Sequence, residues 1–436
     1  MHYIFVINGR PDKDFIVEEV NRQIAQVGKG LDYEIYRTMG VGDGTRFVHI
    51  WCDLHPHVEC CFVACGGSGM VNEVSSGMVG SKKKWLAVLA YGSTNDFTKY
   101  YPDRDFQSLR KLLSGETRKI DIIRVGDNYA INVVNIGFEA TVAANVYNLQ
   151  EEGKTHYRYL MLRSIVRALF TGRRHRIRVH ADGERMNRRR LFMCTLANCR
   201  WEGGGFLCAP YADNEDGLIE FTLIRRMGLL TLFRFIPQYR RGDYLEKNPG
   251  KRLVSYRRVR QVNLMSDSLF TVCLDGEIYA GHSFDIEIIP KEINLILPSL
   301  YTMKKRFEPI LDKCGEIIDY LMSSPDIPKD EALQFKIRLS IEEAVENVVR
   351  YAYEGGMGWL EVGTELDPEG VMLTILLKDA GVPFNPLEKA DPDITLSAEE
   401  REIGGLGIFL CKKLMDHIEY KYEDGCNVLT MSKKVS

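Results

Sequence analysis

The chain has 436 residues, 45% hydrophobic and 27% charged, with a formal net charge of -3 at pH 7. This composition excludes a disordered chain, and the length is too great for one ordinary core, so roughly two to four domains are expected. The near balance of charge gives no global signal for nucleic acid as a partner, and any basic surface must be local.

Met1 is followed at once by "HYIFVIN", which reads as a buried strand and not as a leader segment, and no apolar run approaches the roughly 18 residues needed to span a bilayer. A cytoplasmic location is expected. "YIFVING" is predicted as a strand, "DFIVEEVNRQIAQVG" as a helix and "YEIYRTMG" as a second strand. In "HPHVECC", His55, His57, Cys60 and Cys61 lie close enough to suggest a metal. The stretch has no CxxC pair and runs straight into a strand, which favours a structural role. The eleven cysteines are scattered, several inside strand-like runs such as "LFMCTLANC", and read as reduced, buried thiols.

"CCFVACGG", "WLAVLAYG" and "RKIDIIRV" supply further strands, and the alternation with helices predicts a parallel α/β domain over 1–123. From 124 to 298 the pattern changes to short strands with turn residues between them, among them "DNYAINVVNIG", "DGLIEFTLI" and "SLFTVCLDGE". This predicts a β-sandwich domain interrupted by helices near 150–171 and 227–241, with a last strand able to return to the first domain. A linker is expected at 299–306. Residues 307–436 then carry two helical segments, strands and turns, and a last helix near Gly405.

Within "VACGGSGMVNEV" an apolar strand runs into Gly66 and Gly67, followed by Ser68, Gly69 and a helix start. Backbone N–H groups of such a turn converge on phosphate oxygens, because glycine tolerates positive φ and close approach. One turn of this kind is weak evidence. It is joined by "YGSTNDF" after another strand, by "KIDIIRV" with Asp121, and downstream by "GGGFLCAPYADNEDGLIE" and "CLDGEI".

These five features in this order resemble the diacylglycerol kinase and sphingosine kinase type of lipid kinase, including its soluble bacterial members. The resemblance covers residues 1 to about 298 and implies the NAD kinase/diacylglycerol kinase-like two-domain fold, α/β plus β-sandwich, with ATP and Mg²⁺ as cofactors. It implies nucleotide contacts at Asn8, Thr38, Gly66, Gly67, Ser68, Gly69, Gly92, Asn95, Asp96 and Asp121, and a lipid or small alcohol as acceptor. Asp275 and Glu277 of "LDGEI" match the family's acidic pair near the acceptor hydroxyl, with the glutamate as general base. "ADNEDGL" aligns with a structural Mg²⁺ loop formed by Asp216 with backbone groups at Asp213 and Leu218. Ser68 departs from the family's GGDGT pattern. A carboxylate there would help hold Mg²⁺ on the phosphates, so its loss is expected to weaken catalysis.

The arginine-rich runs "GRRHRIRVHADGERMNRRR" and "QYRRGDYLEKNPGKRLVSYRRVRQ" read by default as solvated surface. In a lipid-kinase setting they suit peripheral contact with an anionic membrane, on the inner face in a bacterial cell, at about 1 kcal/mol per basic residue.

In "LSIEEAVENVVRYAYEGG", Glu343 and Asn347 are four residues apart and share a helix face. An asparagine oxygen suits Mg²⁺, and a carboxylate one turn earlier can accept a proton. "LLKDAGVPFNP" delivers Asp379 at a strand end with Gly381 beside it. "EIGGLGIFLCKKLMD" then places Gly404, Gly405 and Gly407 at a helix start suited to phosphate. This trio resembles the N, G1 and G2 boxes of the GHKL ATPases, above all the anti-sigma-factor serine kinases. The implied fold is an α+β GHKL (Bergerat) ATP-binding sandwich. Asp379 would meet the adenine amino group, Asn347 would hold Mg²⁺, Glu343 would be the base and Gly404, Gly405 and Gly407 would close over the phosphates. The implied partner is a sigma factor or anti-sigma antagonist, and a homodimer is expected. Arg350 stands where many members have histidine. No histidine lies between residues 299 and 350, which argues against a sensor histidine kinase. Two readings follow: a bifunctional kinase acting on a lipid or alcohol and on a protein serine, or a switch whose first module only senses a ligand.

Overall fold

This computed structural model describes residues 1–436 apart from 28–29, 93, 152–162, 165–166, 169–175, 188–190, 248–252, 302, 354–357, 368–370, 389–405 and 436. The chain forms two compact units, Met1–Leu109 with Glu116–Leu297, and Arg110–Gly115 with Pro298–Ser436.

The first unit opens with β1 (His2–Asn8), α1 (Asp14–Val27), β2 (Tyr33–Thr38), α2 (Asp43–Leu54), β3 (Cys60–Gly66), α3 (Ser68–Met78) and β4 (Lys84–Ala90). These four strands pair in parallel in the order β4-β3-β1-β2. Every residue of β3 is buried, which explains why its sequence is continuously apolar: a parallel strand covered on both faces has no polar side. The "HPHVECC" turn is held by a lysine. Lys84, 1% exposed, donates its ammonium to the carbonyls of His55 (2.9 Å) and Val58 (2.7 Å). Cys60 and Cys61 lie in the strand, their thiols pushed up by burial. Among the described residues no His, Cys, Asp and Glu cluster is arranged to hold a metal.

After the short α4 (Leu109–Leu113) the chain builds β5 (Glu116–Val125), β6 (Asn128–Ala130), β7 (Val133–Gly137), α5 (Phe138–Glu151), β8 (Arg178–Ala181), β9 (Glu184–Arg185), β10 (Leu191–Ala197), β11 (Ile219–Arg225), α6 (Leu229–Arg241), β12 (Val254–Val259), β13 (Gln261–Leu274) and β14 (Glu277–Leu297). The predicted strand "DNYAINVVNIG" is split into β6 and β7. The expected helix near 150–171 lies almost wholly outside the described residues, whereas α5 starts earlier, directly after Gly137 at φ 91°. β14 pairs antiparallel with β13 at its start and with β5 along its length, then meets β4 at Leu295↔Leu86. The sandwich and the α/β layer therefore share one sheet.

The second unit contains β15 (Met303–Phe307), α7 (Cys314–Met322), α8 (Glu331–Tyr351), β16 (Leu360–Leu366), β17 (Met372–Asp379), α9 (Leu406–Leu414), β18 (His417–Glu423) and β19 (Cys426–Lys434). Its antiparallel sheet has the order β15-β16-β17-β19-β18. The helices give Ile317, Leu321, Ile337, Ile341, Val345 and Cys411 to the core above it. Among the described residues no helix is long and apolar enough to cross a membrane.

Replacing Lys84 tests the first unit. Lys84→Met removes the ammonium from the His55 and Val58 carbonyls, of which only His55 keeps a second donor, the Val58 N–H (3.3 Å), and should lower stability by about 1–3 kcal/mol. Urea unfolding measures it, and an unchanged midpoint would show that the turn does not need the ammonium.

Candidate nucleotide sites

Register brings the ends of the parallel strands to one edge: Asn8↔Thr38, Ile7↔Cys65 and Gly66↔Ala90. Ligands of parallel α/β sheets bind at this carboxyl edge. Asn8 and Thr38 close the chain there, the Asn8 Oδ1 accepting from the Arg10 N–H (2.9 Å) and the Thr38 carbonyl from the Gly9 N–H (3.1 Å). The two glycine turns touch backbone to backbone, since a Cβ on Gly92 would lie 2.1 Å from the Gly67 Cα. Ser68 fastens them: its hydroxyl donates to the Thr94 carbonyl (3.3 Å) and accepts from the Asp96 N–H (3.2 Å), while its own N–H also donates to Thr94 (3.1 Å). Asn95 donates to the Gly92 carbonyl (2.9 Å). Asp96 accepts from the Gly204 N–H (3.0 Å) and pairs with Lys99 (2.7 Å). Among the described residues the N–H groups of Gly69 and Met70, in the first turn of α3, have no protein acceptor, which leaves them free for phosphate oxygens.

The expected acidic pair is divided in role. Asp275, at φ 48°, accepts from three backbone N–H groups, those of Ile131 (2.8 Å), Asn132 (3.0 Å) and Val133 (2.8 Å). Burial nevertheless pushes its carboxyl up to about 7. It is a positioning residue, and it is also the reason β6 and β7 are separate. Glu277, two residues on, accepts, among the described residues, only from the Tyr279 hydroxyl (2.8 Å). Across from it, burial and then the neighbouring charges of Glu277 and Asp43 raise Glu73, although the N–H groups of Gly42 and Gly44 oppose them. A carboxylate on a fixed turn thus faces the helix that begins at the glycine loop.

Asp121 is not at the surface of this site. It is fully buried, and its two oxygens accept from the Gly217 and Lys291 N–H groups, both at 2.7 Å. It clasps the 213–218 loop to β14. In that loop the Asp216 carboxylate, expected to hold magnesium, is already engaged. Asp213 accepts from the Glu215 N–H (3.0 Å), and Asp216 has one oxygen on the Leu218 N–H (2.9 Å) and the other on Arg258 (2.6 Å). Leu218 therefore meets Asp216 through its N–H, and the cation at Asp216 is a guanidinium that also holds Glu220 (2.8 Å).

In the second unit an apolar pocket is lined by Asn347, Tyr351, Asp379, Phe384, Ile408 and Asn427 among others. Asp379 is buried, which raises its carboxyl. It accepts from the Gly381 N–H (2.8 Å) and from the Asn427 amide (2.9 Å). Gly381 admits no side chain, because a Cβ would lie 2.2 Å from the Ala352 carbonyl. A Cβ on Gly407 would lie 2.0 Å from a Glu343 oxygen, so α8 and α9 meet at Glu343, whose carboxyl is raised by burial and then by Glu346 and Glu342. Among the described residues the Asn347 amide has no protein partner, and this free oxygen one turn from a carboxylate fits Mg²⁺. Gly404 and Gly405 lie outside the described residues. Arg350 pairs with Glu346 (3.0 Å) on the exposed side of α8.

Sequence reasoning missed Asn427, the hub of this pocket. Besides Asp379 it accepts from the Phe384 N–H (3.2 Å) and the Tyr420 hydroxyl (2.7 Å). The available signal was a single asparagine in the strand "CNVLTMSKK", directly after the Gly425 turn. Glu202 was missed as well. It is buried, accepts from Asn135 (2.7 Å) and Tyr239 (2.8 Å), and heads the glycine loop that reaches Asp96.

Fold and geometry together define a chain of two nucleotide-site modules, the first with the layout of a phosphotransferase. Residues 2–125 match the diacylglycerol kinase catalytic domain, residues 132–297 the YegS C-terminal NAD kinase beta sandwich-like domain, and residues 317–433 the histidine kinase-like ATPase domain. The chain is similar to the "Probable lipid kinase YegS-like" of Chromohalobacter salexigens, 27% identical over 299 residues, covering 67% of this chain and 92% of the relative. It is also similar to the protein of that name from Yersinia pestis strain Pestoides F, 25% identical over 311 residues, covering 68% and 97%. A solved structure of a candidate diacylglycerol kinase from Bacillus anthracis str. Sterne shares the fold, with TM-score 0.52 and 16% identity, covering 68% of this chain and 96% of that one. The chain is thus built as an ATP-dependent kinase, a diacylglycerol-kinase-type catalytic module followed by a histidine-kinase-like ATPase module.

Two predictions test these sites. Asn427→Ala should weaken ATP binding at the second site about tenfold, one oriented hydrogen-bonding group being worth about 1.4 kcal/mol. Calorimetry on the full chain carrying Gly92→Val, to disable the first site, reads this directly, and unchanged affinity would remove Asn427 from the site. The other concerns pH. The folded-state value of Asp275 lies above that of an unfolded aspartate, so the folded chain holds an extra proton between roughly pH 4 and 7. Stability from this group falls as pH rises through that window. The urea midpoint of the wild type should therefore drop relative to Asp275→Asn from pH 4.5 to 7.5, and a constant difference would show Asp275 ionised throughout.

Proposed function

We propose that the first module transfers the γ-phosphoryl group of ATP to the hydroxyl of a lipid or small alcohol. Glu277 takes the hydroxyl proton, the freed oxygen attacks the γ-phosphorus, the bond to the β-phosphate oxygen breaks, and ADP leaves. The carrying observation is that Asp275 is wholly occupied in fixing the turn, while Glu277 keeps an available carboxylate opposite the glycine-loop helix. The free N–H groups of Gly69 and Met70 would receive phosphate oxygens.

The second module, on this reading, binds ATP with its adenine against Asp379 and phosphorylates a serine of a protein partner of the sigma-factor or anti-sigma-antagonist kind, working as a homodimer. Glu343 accepts the serine proton. Mg²⁺, when held by Asn347, would offset the phosphate charge.

One observation favours a sensing first module. Ser68 is occupied by loop contacts and Asp96 is neutralised by Lys99, so the glycine loop offers no free carboxylate to a metal.

Radiolabelled ATP with the full chain, a mixture of diacylglycerols and candidate partners decides between them. Glu277→Gln should cut lipid labelling by about 10²–10⁴-fold with protein labelling intact, and Glu343→Gln should do the reverse. Absence of lipid labelling by the wild type, with nucleotide still bound at the first site, would leave the sensing role.

A further inference from the structure

Helix α6 shows a face that the kinase reading does not use. Its sequence, "LLTLFRFIPQYRR", contains no acidic residue. Leu232, Phe235 and Tyr239 are buried in an apolar cluster with Phe192, Met193 and Ile224 of β10 and β11. On the opposite side Leu230 is 82% exposed, Phe233 63% and Ile236 37%. Burial of one side fixes this orientation, and spacings of three and four residues bring Leu230, Phe233 and Pro237 onto one outward stripe. Arg234, Arg240 and Arg241 flank it and are exposed, as is Arg226 just before the helix. Arg241 pairs with Asp243 (3.2 Å). Among the described residues Arg226, Arg234 and Arg240 have no acidic partner.

We infer that the outward face of α6, Leu230, Phe233 and Ile236 with Arg226, Arg234 and Arg240, is a docking surface for an anionic lipid bilayer. Exposed leucine and phenylalanine side chains at this spacing suit the headgroup–acyl boundary, and arginine is the side chain that meets lipid phosphate there. Both features are needed, because an apolar face alone would fit many partners and a basic face alone would fit any polyanion. Their interleaving on one acid-free helix matches charge and apolarity to a single occupant. The helix is also wired to the first site: Tyr239, on its buried side, donates to Glu202 (2.8 Å), and Gly204 of the same loop donates to Asp96 (3.0 Å). The inference deepens the lipid-acceptor reading by naming how the module meets a substrate embedded in a membrane, yet it stands on the helix alone.

The test is co-sedimentation of the full chain with vesicles of phosphatidylcholine and of phosphatidylcholine with phosphatidylglycerol, at low and high salt. The expected result is binding to the anionic vesicles, weakened by salt. Arg234→Gln and Arg240→Gln should each reduce it by about fivefold, and Phe233→Ser by about tenfold or more. All three are surface changes that leave the packed stripe untouched. Equal binding to both vesicles, no binding, or unchanged binding by the variants would overturn the inference. So would a Phe233→Ser variant that breaks a dimer present in the wild type, since a second copy would then be the occupant. Phosphorylation of a water-soluble short-chain diacylglycerol separates this from the kinase reading. The variants should match the wild type there, and vesicle binding without any such phosphorylation would sink the kinase reading while leaving the docking surface in place.

Discussion

A buried carboxylate must be given donors, and in the first unit that requirement falls on Asp275. Burial raises this carboxyl despite its donors, because removing such a group from water, above all when it is ionised, carries a cost. The three N–H groups of residues 131–133 offset it, and in doing so they are withdrawn from any strand ladder. The break between β6 and β7 follows from this. The left-handed backbone at Asp275 and Gly276 is that of the two-residue β13–β14 hairpin turn, which brings Glu277 to open β14. Because β14 continues to β4, the turn carrying the proposed base and the strands carrying the glycine loops belong to one hydrogen-bonded sheet.

The second unit solves a like problem with a side chain. Asp379 is buried in an apolar pocket and receives one backbone N–H and the Asn427 amide. Asn427 also holds the backbone at Phe384 and the Tyr420 hydroxyl, so one amide links the carboxylate, the strand end and the aromatic wall. In each unit one aspartate is fixed by donors, while a different carboxylate, Glu277 or Glu343, remains available.

Much of this was legible in the sequence. The continuous apolar run of β3 and the glycine turns at 66–69 and 92 marked the carboxyl edge of the parallel strands, and the spacing of Glu343 and Asn347 marked one face of α8. These features are local, since period, turn chemistry and helix spacing all act within a few residues. What stayed hidden depends on contacts across more than 40 residues: Asp121 on Gly217 and Lys291, Asp275 on the 131–133 backbone, Arg258 on Asp216. In isolation each of these aspartates has the composition of a ligand-binding group. Whether it serves a ligand or the backbone is decided by which N–H groups the fold brings to it, and sequence spacing does not encode that.

Ser68 shows the same limit from the other direction. Read as a lost carboxylate, it is a defect, since a hydroxyl neutralises no part of a metal's charge. In the fold its hydroxyl both donates and accepts, tying the Gly66–Gly69 turn to the Thr94–Asp96 turn, and a carboxylate cannot make the donated half of that link. Removing one negative charge also lessens the repulsion that a triphosphate meets at the loop, where the remaining carboxylate, Asp96, already has Lys99 beside it. Charge therefore acts in opposing directions: metal affinity falls while anion affinity without metal rises. At surface-like separations each effect is on the order of 1–4 kcal/mol. With terms of similar size and opposite sign, phosphate binding at this loop, on the proposed reading, would tolerate serine far better than a transfer step would, because only transfer needs a cation to stabilise the charge that develops on the leaving oxygen.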